Sequence, residues 1–76
     1  MDSYEIAVND FYTLYFQYAE DYGWEHRVSL RGYEQENVIE VRNDSGTVIR
    51  VKDEDPENIW NRAAADLQSW LNRHKR

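Results

Sequence analysis

The chain opens on apolar positions spaced for a helix. At about 100° per residue, Tyr4, Ala7, Val8, Phe11, Leu14, Tyr15, Tyr18, Ala19 and Tyr22 share one continuous arc. Asp2-Ser3-Tyr4-Glu5 places a side-chain acceptor three residues ahead of a Glu, a capping-box spacing that satisfies the first free N–H groups of a helix. Gly23 stands where a C-terminal glycine ends one. From Trp24 the period drops to two. Trp24, His26, Val28 and Leu30 alternate with Glu25, Arg27, Ser29 and Arg31, as in a half-buried strand. Gly32-Tyr33-Glu34-Gln35-Glu36-Asn37 reads as the following loop. Two β-branched runs, residues 38–42 and 47–52, flank the turn formers Asn43-Asp44-Ser45-Gly46 and predict a hairpin with Ile39, Val41, Ile49 and Val51 toward the core.

Asp55-Pro56-Glu57 combines a capping carboxylate, a residue preorganised for the first helical position and a charge that suits the helix dipole. It predicts a second helix starting at Pro56. Ile59, Trp60, Ala63, Ala64, Leu67, Trp70 and Leu71 share its apolar arc, and Arg73, Lys75 and Arg76 lie at the end that favours positive charge. The expected fold class is α+β: one domain over residues 1–76, order α-β-β-β-α, with a three-stranded antiparallel sheet. A meander of this kind covers one face and leaves the other to water, so both helices are expected on the same face.

Size narrows the function. A chain of 76 residues buries only about 60% of its extended surface, leaving little room for an enclosed catalytic cavity, so an enzyme is not expected. The chain has no cysteine, which removes disulfides, thiolate nucleophiles and cysteine-based zinc sites. The acidic first residues do not resemble a signal peptide, and no apolar run approaches the roughly 18 residues of a membrane span. A soluble, cytoplasmic protein is expected, and its 14% aromatic content argues that it folds.

The formal net charge of −6 is unevenly spread. Residues 1–25 carry Asp2, Glu5, Asp10, Glu20, Asp21 and Glu25 with no Lys or Arg, and so account for −6 by themselves. Residues 26–52 hold five cations against four acids, and residues 53–76 hold four against five.

The element order, Gly46-Thr47-Val48-Ile49 at the entry to the third strand, and the alanine-rich Asn61-Arg62-Ala63-Ala64-Ala65 together resemble the double-stranded RNA-binding domain over nearly the whole chain. That resemblance implies two helices on one sheet face and a lysine cluster at the start of the second helix that spans phosphates. Here Glu57, Asn58 and Asn61 occupy those positions, beside Asp53, Glu54 and Asp55, a start that repels a polyanion. In size and acidity the chain is also similar to small phage-encoded inhibitors such as anti-CRISPR proteins.

Tyr12 and Phe16 fall off the core arc of the first helix, among Glu5, Asn9, Thr13 and Glu20. Aromatics ringed by polar groups suit a protein-binding hot spot, whereas a tilted helix would tuck Phe16 under a terminus or loop. The expected contact set is Tyr12, Phe16, Glu5, Asn9, Glu20 and Asp21, and the expected partner is a protein, in particular one with a basic nucleic-acid-binding surface. Asp10, Glu20, Asp21, Asp53, Glu54, Asp55 and Glu57 could imitate phosphates for such a partner, or simply solubilise the chain and cap its helices. The alternative site is the open sheet face, where alternation gathers Arg27, Arg31, Arg42, Arg50 and Lys52 with Glu25, Glu40, Ser29 and Val48. It suits an acidic partner or a nucleic-acid backbone, unless its cations are consumed in cross-strand pairs such as Glu40 with Arg27 or Arg50. Direct nucleic-acid binding is the lesser expectation. His26 and His74 lack the spacing of a zinc site, no catalytic set assembles, and no cofactor or membrane partner is expected.

Overall fold

The computed structural model describes residues 2–74. Helix α1 (Ser3–Tyr22) leads into strands β1 (Glu25–Ser29), β2 (Asn37–Asn43) and β3 (Gly46–Asp53), followed by helix α2 (Asn58–His74). The sheet is an antiparallel meander in the order β1-β2-β3. This is the expected α+β architecture.

Local signals set the helix ends. The Asp2 carboxylate accepts from the Glu5 N–H at 2.8 Å, and Gly23 takes the left-handed conformation at φ 66° while Trp24 N–H returns to the Ala19 carbonyl at 2.9 Å. Helix α2 starts two residues later than expected. Asp55 caps as read, its Oδ1 accepting from Glu57 N–H and Asn58 N–H. Pro56 and Glu57, however, form a turn ahead of the regular ladder. At the other end, Arg73 lies in the last turn; Lys75 and Arg76 fall outside the described residues.

One apolar cluster joins all five elements. Ala7, Phe11 and Tyr15 of α1 meet Ile59, Trp60, Ala63, Leu67 and Leu71 of α2 over Ile39, Val41, Ile49 and Val51 of the sheet. The helices run in the same direction: Phe11 in the middle of α1 meets Trp60, and farther along both helices Tyr22 meets Trp70. Helix α2 lies over β2 and β3. Helix α1 reaches the β1 side through rings, with Tyr15 against Trp24 and both Tyr12 and Tyr15 against His26.

The structure corrects the strand boundaries, and Asn37 supplies the main reason. Expected in the loop, it is the first residue of β2 and is fully buried. Its Oδ1 accepts from the backbone N–H groups of Arg31 (2.6 Å) and Gly32 (3.1 Å). Its Nδ2 donates to the carbonyls of Gly32, Gln35 and Asp53, between 2.9 and 3.1 Å. An amide that captures the Arg31 N–H competes with the sheet ladder, so β1 stops at Ser29 and Leu30 is exposed rather than core. The pairing also skips one residue of β3. Val41 opposes Ile49 and Arg42 opposes Thr47, which leaves Val48 as the extra residue of a bulge. Val48, expected on the open face, is half-buried against the core.

Candidate functional site

Helix α1 sets a graded row of rings. Phe11 is sealed between the helices, Tyr12 stands at the boundary, and Phe16, one turn beyond Tyr12, is 69% exposed. The i, i+4 spacing stacks Phe16 on Tyr12, with centroids 5.6 Å apart and planes at 21°. Tyr15 meets Phe16 edge-on at 5.3 Å. Phe16 is therefore an exposed ring braced from two sides.

Tyr12 departs from the expectation of an exposed aromatic. It is half-buried, packed against Phe11 and Trp60, with its hydroxyl 3.2 Å from His26 Nε2. The wheel puts it off the arc, but the sheet and Trp60 widen the covered sector. Burial, and then the neighbouring Tyr4, push its phenol pKa up; burial, then Glu25 and Tyr12, do the same for Tyr15. Both hydroxyls thus remain protonated at neutral pH, and Tyr15 donates to the Trp24 carbonyl at 3.0 Å.

Glu5, Asn9 and Glu20 are exposed and border the same flank. With Tyr4, Val8 and Tyr12, Glu5 and Asn9 line a shallow groove of about 370 Å³. Asp21 is exposed too, but lies about 140° around the helix from Phe16. The structure does not bring it to this flank.

The opposite sheet face carries three ordered rows: Glu25, Arg42 and Thr47; Arg27, Glu40 and Arg50; Ser29, Val38 and Lys52. Arg31 is not among them, because its backbone has left the strand for Asn37. Glu40 lies between Arg27 and Arg50 in register, yet neither pair closes. Among the described residues, the guanidinium groups of Arg27, Arg42 and Arg50 make no ion pair or hydrogen bond. Lys52 pairs with Glu36 at 3.7 Å. A hollow of about 310 Å³ opens at the β1 end of this face, with Arg27 and Arg42 facing Glu25, Glu40 and Asp44 across it.

Of the acids before α2, Asp53, Asp55 and Glu57 have structural roles for their carboxylates. Asp53 Oδ1 accepts from Asp55 N–H at 2.9 Å, and its Oδ2 from Asn58 Nδ2 at 3.0 Å and Arg62 Nη1 at 3.4 Å. Glu57 accepts a hydrogen bond from the Tyr33 hydroxyl. The bond from Asp55, then that from Asn58, hold the Asp53 carboxyl below its ordinary value of 3.8. A carboxyl depressed on folding adds stability above its unfolded pKa and loses it as pH falls through the folded one. Unfolding midpoints are therefore expected to fall below about pH 4, and Asp53→Asn to flatten that decline. Equal acid sensitivity in the two proteins would contradict this assignment.

Reading the sequence missed Asn37, Tyr33 and Arg62. An Asn bordering a β-branched run marks a turn equally well, so it carried no separate signal. Among the described residues no group of three or more His, Cys, Asp or Glu side chains is placed to hold a metal ion. His26 is engaged with Tyr12, while His74 stacks on Trp70 at 4.0 Å. No described helix is long and apolar enough to cross a membrane. Compared with protein-family models, curated proteins and solved structures, the chain has no match.

Proposed function

We propose that the protein is a non-enzymatic binding module that docks on a partner protein through the outer flank of α1. In this reading it is a small inhibitor of a defence or nucleic-acid-handling complex, of the kind phages carry. The observation that carries the docking site is Phe16, a large ring exposed at 69% and braced by Tyr12 and Tyr15. A braced ring loses little conformational freedom on binding and buries a large apolar area. Glu20, one turn beyond it, and Glu5, farther along the same flank, suit a basic partner surface, for which complementary charge speeds encounter.

A photo-crosslinking amino acid at position 16, in the cell where the protein acts, should capture a discrete partner, whereas the same group at Gln68 on α2 should not. Phe16→Ala should weaken binding to the captured partner at least tenfold, about 1.4 kcal/mol, with an unchanged melting temperature. Undiminished binding by this variant would overturn the reading.

The open sheet face supports a second reading, nucleic-acid or acidic-partner binding through Arg27, Arg42, Arg50 and Lys52. Its support is the three guanidinium groups without partners. Fluorescence anisotropy with duplex RNA and duplex DNA at low salt tests it. Binding that weakens with salt and with Arg50→Glu favours it, and no binding at low salt refutes it.

A further inference from the structure

The open sheet face offers a ligand three side chains in a line. Arg27, Glu40 and Arg50 stand in register on β1, β2 and β3. With strands about 4.8 Å apart, the two cations straddle the carboxylate over about 10 Å. Among the described residues none of these three side chains makes a hydrogen bond or an ion pair. Arg42, diagonal to both cations, is free as well. No aromatic ring stands in the three rows, so the face has nothing on which a base stacks. It is built to meet a backbone rather than bases.

A ligand that satisfies this line presents an anion, a hydrogen-bond donor and a second anion, in that order. A bare polyanion meets the guanidinium groups but is repelled by Glu40 between them. The ribose–phosphate backbone supplies all three groups, because each 2′-hydroxyl lies between two phosphates and can donate. Deoxyribose has no donor there. From the nucleic-acid reading of this face, on which this step rests, we infer that the face binds the backbone of duplex RNA across its wide, shallow minor groove and that Glu40 selects RNA over DNA. Arg27, Arg42 and Arg50 take phosphate oxygens with their guanidinium forks, and the Glu40 carboxylate accepts from a 2′-hydroxyl. The acidic α1 packs on the other face of the sheet. At physiological salt exposed charge is screened over about 8 Å, so α1 weakens the pull of the three cations without cancelling it.

Fluorescence anisotropy on the intact chain at low salt tests this with three duplexes of one sequence: RNA, 2′-fluoro RNA and DNA. The 2′-fluoro duplex keeps the A-form shape and loses the donor. The parent should bind RNA about tenfold more tightly than either analogue, as one hydrogen bond to a charged group allows. Glu40→Ala should bind RNA and 2′-fluoro RNA equally and should bind DNA more tightly than the parent does, since the repulsion is gone. Glu40→Gln keeps an acceptor oxygen and should retain part of the preference for RNA over 2′-fluoro RNA. A thermal melt confirms that both variants are folded. Equal binding of RNA and 2′-fluoro RNA by the parent, or a preference that survives Glu40→Ala, overturns the role of Glu40, while loss of binding in Arg50→Glu still upholds the nucleic-acid reading. Absence of binding to every duplex removes both. Binding of polyglutamate in place of RNA assigns the face to an acidic protein and overturns the proposal.

Discussion

Asn37→Ala is expected to lower stability by about 3–5 kcal/mol, the largest effect of any polar substitution in the chain. The side chain is fully buried and answers five backbone groups, from Arg31, Gly32, Gln35 and Asp53. Each buried group left without a partner costs about 1–3 kcal/mol, and water entering from the loop side recovers part of the total. For a domain this small the whole margin is only about 5–15 kcal/mol, and each kcal/mol moves the melting temperature by about 4–8 °C. A drop of about 12 °C or more in a thermal melt followed by circular dichroism is the expected result. Asn37→Asp keeps an acceptor for the two N–H groups but turns the three donated bonds into carboxylate–carbonyl repulsion. Burial then raises that carboxyl in the folded state, so this variant should lose further stability as pH rises. A change below about 1 kcal/mol for Asn37→Ala would mean that the loop holds its shape without this residue.

The second large effect separates two phenylalanines five positions apart on α1. Phe11 is fully buried and contacts Trp60, Tyr12 and Tyr15 with ring centroids 5.2–6.0 Å away. Phe11→Ala opens a cavity between the helices and should cost about 3–5 kcal/mol. Phe16→Ala removes a ring that is mostly in water and should stay within about 0.5 kcal/mol of the parent. Urea titration distinguishes them by the midpoint at a constant slope. Equal losses would show that Phe16 belongs to the core, and would remove the basis for its role as a binding anchor.

What was legible in the sequence was what depends on neighbours along the chain. The arcs of α1 and α2, the capping carboxylates of Asp2 and Asp55, Gly23 at the helix end and the turn between β2 and β3 all follow from spacing. Each is a contact within a few residues. The wheel set Phe16 off the core arc, but whether a terminus or loop covers it depends on tertiary packing, which leaves it exposed. Tyr12 was misread because its cover comes from Trp60 and His26, and Arg31 because Asn37 takes its N–H from across a loop. Val48 and Arg62 belong with them: a bulge exists only in a paired ladder, and a capped edge carbonyl only once α2 lies over β3.

The sequence by itself therefore determined the α-β-β-β-α order, the main apolar stripe of each helix, the core-facing Ile39, Val41, Ile49 and Val51 of the hairpin, and the concentration of negative charge in α1. Tertiary structure decided that the expected cross-strand pairs of Arg27 and Arg50 with Glu40 stay open, that Arg62 caps the Lys52 carbonyl at the edge of β3, and that Tyr12 is covered while Phe16 is not. The reason is physical. Periodicity and capping are encoded at separations of a few residues, whereas which edge is covered, and by what, depends on side chains brought together from helices at opposite ends of the chain.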